Sequence, residues 1–341
     1  MDSGTVIPVS AATGHESAPV TVSVSGAEGN LGARVVRLLD ADVSVVVAKA
    51  AIDSDTPAVD VVVHLGSGDH DARARRRENI TEGVDKTLAE AIARDANHLV
   101  LVSSAMVYGA WPNNPIPLTE DAILRPDVEF VYARQLAAAE AMADRWRRQR
   151  HGRTVTVLRP VVAMAADGTS QLARSLAAGL GQRFGEEDPP VQFLHLDDLA
   201  SAVAVAVRHR LDGVYNVAPD GWIDGERVRA LTGARPRLQL PDRAAEVVAA
   251  VRWRFQRGPI PPGLRSYTRA PWLVANDRLK AHGWRPTVTN EQAYVEGTEG
   301  KWWTMISPKR RQEMALGGMI VGSLAGAVGL IVAIRRWRRS R

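Results

Sequence analysis

Three glycines, spaced three residues apart between a short apolar run and an amphipathic one, constrain the fold of this chain more than any other feature. Gly26, Gly29 and Gly32 form a G-x-x-G-x-x-G pattern after the valine-rich residues 20–24 and before residues 33–39, whose apolar side chains have helical spacing. Glycines let a backbone approach a phosphate closely, and the start of a helix offers free N–H groups with partial positive charge. The pattern therefore predicts a strand, a tight turn and a helix that together bind the pyrophosphate of a nucleotide.

Apolar runs and helical segments alternate from residue 20 to about residue 220. The runs predict buried strands at 43–47, 59–65, 98–103 and 154–159, and amphipathic spacing predicts helices at 78–94 and 128–150. This alternation is typical of a parallel sheet with right-handed crossovers. We therefore predict an α/β fold, a doubly wound Rossmann-type parallel sheet over 20–220, after a flexible leader at 1–19. The alternation then stops, so residues 221–308 are predicted to form a smaller substrate lobe and linker.

The composition excludes several kinds of site. The chain of 341 residues has no cysteine, which excludes disulfides, thiol catalysis and cysteine-ligated metals. The formal net charge is +5, but residues 309–341 hold eight basic residues and one acidic residue, which leaves about −2 for residues 1–308. A main domain with that charge is not expected to bind nucleic acid.

Residues 314–334 differ from the rest of the chain, since they form a run of 21 residues without a charged side chain. As a helix the run is about 31 Å long, which matches a bilayer core of roughly 30 Å. Basic residues flank it on both sides. It predicts a C-terminal transmembrane helix that anchors the chain to lipid at the cell membrane with the main domain in the cytoplasm. The alternative is a shallow helix at the headgroups.

Within this run, Gly318, Gly322 and Gly326 repeat every four residues. Small residues at that spacing let two helices approach closely in a bilayer. They predict a homodimer formed through the helix, or they reflect only the abundance of Ala and Gly in this segment.

A series of landmarks in fixed order resembles the NAD-dependent epimerase/dehydratase family of extended or atypical short-chain dehydrogenases/reductases. After the glycine turn come V-V-V-H-L-G at 61–66, N-I-T-E-G at 79–83, V-S-S-A-M-V-Y-G at 102–109, Y-A-R-Q-L at 132–136, L-R-P at 158–160, H-L-D-D-L-A at 195–200 and V-Y-N-V at 214–217. The resemblance covers about residues 20–220. It implies an oxidoreductase, epimerase or dehydratase that uses NAD or NADP.

The resemblance also implies a set of site residues. Ser104 and Tyr132 stand at the catalytic positions, where a hydroxyl binds the reacting oxygen and a phenol exchanges a proton with it. No metal is implied. The implied cofactor-binding residues are Gly26, Gly29, Asn30, Leu31, Gly32, Asp53, Leu65, Asn79 and Tyr132.

Two positions depart from the family pattern. Leu136 stands four residues after Tyr132, where the family has a lysine that binds the nicotinamide ribose and lowers the pKa of the tyrosine. No acidic residue follows the predicted strand 43–47 before Asp53, and Lys49 there favours NADP or is a solvated loop lysine.

These departures leave two hypotheses open. The chain is a membrane-tethered NAD(P)-dependent oxidoreductase or epimerase/dehydratase-like enzyme that acts on a sugar or lipid-linked substrate, as the retained Ser104 and Tyr132 favour. Alternatively, it is a catalytically degenerate dinucleotide-binding scaffold or sensor, as Leu136 favours.

For other residues the sequence gives less evidence of a functional role. Tyr108 is expected beside the nicotinamide or in the core, and His64 at a strand end as a structural residue. His195 and the two aspartates after it are expected to cap a helix rather than hold a metal. The arginine runs at 73–77 and 145–150 are expected to be solvated helix faces or to contact anionic headgroups.

Overall fold

The computed structural model describes residues 19–48, 57–66, 80–180, 188–232 and 263–298. Its main sheet has six parallel strands in the order β2-β1-β3-β4-β5-β8. The strands of this sheet are β1 (Val20–Ser25), β2 (Val45–Ala48), β3 (Val61–His64), β4 (His98–Val102), β5 (Thr154–Pro160) and β8 (Gly213–Val217). Two short parallel strands, β6 (Val162–Met164) and β7 (Phe193–His195), form a second sheet.

Helices lie between most successive strands of the main sheet, as a parallel sheet requires, and further helices follow β8, the last strand of that sheet. They are α1 (Asn30–Asp40), α2 (Ile80–Ala93), α3 (Val131–Arg148), α4 (Gln171–Gly179), α5 (Leu196–His209), α6 (Gly225–Thr232), α7 (Asp277–Lys280) and α8 (Asn290–Thr298), with 3₁₀ turns at Ala105–Tyr108 and Ser266–Thr268. Helix α1 packs beside α5 and α2 packs beside α3, while α8 packs on β6 and β7.

The two central strands are apolar because both of their faces are covered. All four residues of β3 and all five of β4 are buried, which explains the continuous valine and leucine runs in the sequence. The predicted α/β class and doubly wound parallel sheet are confirmed. The strand predicted at 43–47 begins instead at Val45, since Val43 is fully exposed in the turn before it.

Within the ranges listed above, no helix is both long and apolar enough to cross a membrane. The segment 314–334, for which a transmembrane helix is predicted, lies outside those ranges.

Candidate functional site

The glycine turn lies at the carboxyl end of β1, and close contacts require glycine at two of its three glycine positions. Gly26 has a φ of +89°, and a side chain there would begin 3.0 Å from the carbonyl oxygen of Gly66, which follows β3. A Cβ on Gly32 would lie 2.1 Å from the Gly26 carbonyl oxygen. Leu65, another predicted site residue, is buried and donates its backbone N–H to Ser25. The turn is therefore folded tightly against both β3 and α1.

Helix α1 begins directly after this turn without a side-chain cap. Gly29 occupies the N-cap position, and no side chain there accepts a hydrogen bond from the first turn. Ala33 is already bonded to the Gly29 carbonyl, so the backbone N–H groups of Asn30, Leu31 and Gly32 precede the first intrahelical bond. We call the glycine turn and these three residues the nucleotide side of the site.

Side chains of α1 tie the nucleotide side to the loop after β6. The Asn30 amide donates to the Asp167 carbonyl oxygen at 2.7 Å. Arg34, one turn further along, forms ion pairs with Asp167 and Asp197, each at 2.6 Å. Arg34 and Asp167 could not be identified from the sequence, since nothing in their local pattern indicates that they pair with each other.

Ser104 lies just beyond the carboxyl end of β4 and caps the 3₁₀ turn that follows. Its hydroxyl accepts a hydrogen bond from the Met106 backbone N–H at 3.2 Å and lies 3.5 Å from the Pro160 carbonyl oxygen. The side chain is 8% exposed. Ser104 is thus at the sheet edge where a reaction site of this fold is expected, with its hydroxyl already engaged within the protein.

Tyr132, Leu136 and Glu140 follow one another at intervals of four on α3, so they lie along one face of that helix. Tyr132 is half-buried in the first turn, and its ring centroid lies 5.7 Å from that of Phe130. Leu136 is 6% exposed. The position at which the family has its lysine is therefore occupied by an apolar side chain that belongs to the buried face of α3. We call the region between Ser104 and Tyr132 the reaction side.

A buried network of charged and polar side chains supports the reaction side. Arg159 on β5 makes hydrogen bonds to both oxygens of Glu140, the shortest at 2.6 Å, and the Ser103 hydroxyl donates to the same carboxylate at 2.6 Å. Arg159 also donates to the Tyr108 hydroxyl, which donates in turn to Asn216, each at 2.8 Å.

Burial in this network raises the pKa of the Tyr108 phenol. Tyr108 is fully buried, so it is a core residue that links β8 to β5. The roles of Ser103, Glu140 and Arg159 were missed, because residues far apart in the sequence form the network.

Three histidines have structural partners. Burial lowers the pKa of His64 to about 4, and its Nδ1 lies 2.7 Å from the Thr87 hydroxyl. Burial likewise lowers the pKa of His98 to about 4. His195 caps α5, since its Nδ1 accepts the Asp197 backbone N–H, and its Nε2 lies 3.2 Å from Glu296. In the described part of the chain, no cluster of three potential ligands is arranged to hold a metal.

The arginines at the end of α3 form surface ion pairs. Arg147 and Arg148 both bind Asp144, one helical turn before them, and Arg150 binds Asp95. This is the solvated face expected of residues 145–150. Asp53, Asn79, Lys49 and the run at 73–77 lie outside the described residues, so the roles assigned to them stay predictions.

Several solved structures share this fold. UDP-glucose 4-epimerase from Thermus thermophilus, in complex with NAD, matches with a TM-score of 0.57 and 19% identity over 82% of this chain and 98% of the epimerase. A human epimerase family protein with NADPH matches with a TM-score of 0.58 and 20% identity over 83% of this chain and all of that one. At these identities the likeness concerns the fold alone.

Two bacterial proteins are similar to this chain in sequence. An uncharacterized protein of Mycobacterium tuberculosis is 27% identical over 168 residues, which are 48% of this chain and 45% of the relative. An uncharacterized protein of Sinorhizobium fredii is 26% identical over 231 residues, 63% of this chain and 55% of the relative. This chain spans about half the length of these curated relatives.

The model of the NAD dependent epimerase/dehydratase family matches residues 13–218, more than half of the chain. The matched region includes the glycine turn, Ser104, Tyr132 and the L-R-P arginine, Arg159, that holds the buried network. By this match the chain belongs to the NAD-dependent epimerase/dehydratase family.

Proposed function

We propose that the chain binds NAD or NADP on its nucleotide side and that it acts as a dinucleotide-binding scaffold or sensor rather than as a fast oxidoreductase. The observation that carries this proposal is Leu136, which is 6% exposed on the buried face of α3 at the place of the family's lysine. The nucleotide side retains what binding needs, whereas the reaction side lacks one of the groups that proton transfer needs.

Dinucleotide binding is supported by the fit of the turn to a pyrophosphate. The side chains that Gly26 and Gly32 lack would collide with backbone atoms, so these two positions stay free of Cβ atoms. The uncapped start of α1 presents the N–H groups of Asn30, Leu31 and Gly32, which are suited to phosphate oxygens. The similar Thermus thermophilus and human structures hold NAD and NADPH. When bound, a nicotinamide cofactor supplies or accepts a hydride.

Weak proton transfer is supported by the residue one helical turn after Tyr132, which is Leu136. A free phenol has a pKa of about 10, and a nearby cation is what lowers it toward neutral pH. The leucine at 136 supplies neither a charge nor a hydrogen bond, and Arg134 lies about 200° around the helix from Tyr132 and donates to the Val128 carbonyl instead. Position 136 therefore gives Tyr132 none of the help in proton transfer that the family's lysine gives.

A second candidate function is oxidoreductase or epimerase/dehydratase activity on a sugar or lipid-linked substrate. It is favoured by one observation: the Ser104 hydroxyl lies at the carboxyl end of the central strand β4, the edge at which reaction sites of parallel α/β sheets form. In such an enzyme Ser104 would bind the reacting oxygen and Tyr132 would exchange its proton.

Titration of the full chain with NAD, NADH, NADP and NADPH, followed by thermal shift and calorimetry, tests the binding proposal. A ligand that binds the folded state raises the melting temperature by mass action. The same titration is repeated with the variant Gly29→Val. The φ of −75° at Gly29 accepts a branched residue, so the variant should fold. Its side chain would stand beside the free N–H groups and should hinder the phosphate. Loss of binding in this variant supports the site, whereas unchanged affinity or no binding to the parent chain contradicts it.

The variant Leu136→Lys tests the proposal that the chain is not a fast oxidoreductase. We expect the parent chain to interconvert UDP-glucose and UDP-galactose at background rate and the variant to bind the dinucleotide more tightly or to turn over faster. General acid–base groups typically contribute about 10²–10⁴-fold in rate. Rapid turnover by the parent chain that Tyr132→Phe abolishes would favour the second candidate function.

Attachment to a membrane through residues 314–334 is also a proposal, and it is supported by the uncharged run and its basic flanks. Deletion of 309–341 is expected to move the protein from the membrane fraction to the soluble fraction. A full chain that is soluble without detergent would contradict the anchor. Gly322→Leu is expected to weaken self-association in a bilayer reporter if the glycine stripe pairs two helices.

A further inference from the structure

The reaction side is bordered by aromatic side chains from a distant part of the chain. Phe130 immediately precedes α3, and its ring centroid lies 5.3 Å from that of Tyr267 and 5.7 Å from that of Tyr132. Tyr267 in turn packs edge-on against Trp272 at 5.4 Å. Phe130, Tyr267 and Trp272 are 4%, 0% and 4% exposed. We call these three residues the aromatic plug.

The aromatic plug connects the same two segments that a substrate would have to connect. A substrate that meets both candidate hydroxyls must lie between Ser104 and Tyr132. The Tyr267 hydroxyl donates to the Met106 carbonyl oxygen at 2.6 Å, two residues after Ser104. The ring of Tyr267 packs on Phe130, two residues before Tyr132. Tyr267 thus bridges the segments of Ser104 and Tyr132 with its own side chain.

Backbone contacts fix the plug in this position. A Cβ on Gly263 would lie 2.7 Å from the backbone nitrogen of Phe130, so the chain at Gly263 lies directly against the start of α3. The Trp272 indole N–H donates to the Tyr267 carbonyl at 3.1 Å. Burial raises the pKa of the Tyr267 phenol, which keeps its hydroxyl protonated as the donor to Met106. The polar atoms of the plug are therefore paired within the protein.

We propose that residues 263–272, through the aromatic plug, fill the reaction side between Ser104 and Tyr132 and exclude a sugar nucleotide from it. The inference rests on the proposed function, since a scaffold or sensor needs a dinucleotide site but no second substrate site. It makes Tyr267 and Phe130 the residues that decide what enters the reaction side. They act by occupying space rather than by chemistry.

The absence of cysteine from the chain provides a direct test. Ser104→Cys places a single thiol next to the plug, and its rate of reaction with a maleimide reports whether the reaction side is open. Val43→Cys is the exposed reference, because Val43 is fully exposed. We expect the thiol at 104 to react at least 100-fold more slowly than the thiol at 43. Met106→Cys, at a fully buried position, is a second reporter if Ser104→Cys does not fold.

Removal of the Tyr267 ring should open the reaction side without loosening the rest of the structure. Tyr267→Ala in the Ser104→Cys chain is expected to raise the labelling rate at least tenfold, whereas Tyr267→Phe, which keeps the ring, should not. Tyr294→Ala is the matched control, since Tyr294 is a buried tyrosine that packs against Phe193 in another part of the structure. Equal acceleration by Tyr267→Ala and Tyr294→Ala would show that general loosening, and not the plug, governs access.

A second experiment repeats the labelling in the presence of UDP-glucose. In the chain with an intact plug, millimolar UDP-glucose should leave the labelling rate of the thiol at 104 unchanged. Protection by UDP-glucose, or labelling of that thiol as fast as at position 43, would overturn the proposal. Because labelling is measured without a dinucleotide, a chain that fails to bind NAD or NADP would contradict the proposed function and still give a clear result for the plug.

Discussion

The nucleotide side and the reaction side meet at the same sheet edge but are held in different ways. The nucleotide side depends on backbone contacts at Gly26 and Gly32, and its ion pairs join Arg34 to the exposed carboxylates of Asp167 and Asp197. The reaction side lies on a buried ion pair between Glu140 and Arg159 and is packed with aromatic rings. One side presents backbone N–H groups of a helix start, and the other is held by buried side chains.

Because of this difference, phosphate binding and proton transfer depend on different parts of the same fold. A glycine turn binds phosphate through the backbone, so it persists as long as the glycines and the helix start persist. Proton transfer needs particular side chains in a particular place, and Leu136 alone removes one of them. The fold therefore remains that of the family, and we propose a structural role for the reaction side.

The largest predicted effect concerns the support of the reaction side. Glu140→Gln leaves the Arg159 charge buried without its partner, and breaking a buried pair in this way typically costs about 3–5 kcal/mol. We expect a loss of that size in the free energy of unfolding, measured with urea. Asp144→Asn, on the same helix but at the surface, should cost less than about 1 kcal/mol. Equal losses would mean that the network does not support the reaction side.

The next effect is a pH dependence of stability that comes from His64, at the carboxyl end of β3, and His98, at the amino end of β4. An unfolded histidine titrates near 6.5, whereas His64 and His98 titrate near 4 when folded. Between these values the unfolded state binds more protons, so the stability is complete above pH 6.5 and falls as the pH drops toward 4. Each histidine contributes about 3 kcal/mol to this loss, since one unit of pKa corresponds to about 1.4 kcal/mol.

Variants assign this loss to each histidine. His98→Asn and His64→Gln should each flatten part of the pH dependence in urea unfolding. Only His64, which lies beside Ser25 in the register of β3 and β1 next to the glycine turn, should also make dinucleotide affinity depend on pH in this window. An unchanged pH profile in both variants would contradict the buried neutral state of these rings.

A smaller effect is expected at the nucleotide side itself. In Gly32→Ala the new methyl group would lie 2.1 Å from the Gly26 carbonyl oxygen, and overpacking of this kind costs about 1–3 kcal/mol. We expect Gly32→Ala to abolish dinucleotide binding as well. Gly83→Ala is the control, because its methyl group would approach only His64, at 3.7 Å, in the interior of α2. That variant should gain up to about 1 kcal/mol by helix propensity.

The smallest effect is expected for Arg34. Its partners are largely exposed, so Arg34→Met should cost about 1 kcal/mol in thermal or urea unfolding. Arg227→Met, which removes a single surface pair with Glu291, should cost less. A loss at Arg34 as large as that at Glu140 would show that the two sides are held equally firmly.

Local patterns predicted most of the fold correctly. The valine runs, the glycine turn and the amphipathic helices each carry their signal within a few consecutive residues, and β1, β3, β4, β5 and α1–α3 all appear close to where they were predicted. Element ends were less accurate, as at Val43, because the last residues of a strand depend on its neighbours. Ser104, Tyr132 and the glycines could be proposed as site residues because each lies in a contiguous motif, and their roles stay predictions.

The sequence by itself determined the α/β class, the phosphate-binding turn and the loss of the lysine at Leu136, since each depends on residue type and local spacing. Only the tertiary structure decided what surrounds the reaction side. Glu140, Arg159 and Tyr108 come from three separate elements, and Tyr267 lies 161 residues after Met106, whose carbonyl it binds. Contacts over such separations leave no periodic trace in a sequence, because their partners are brought together only when the sheet and its helices pack.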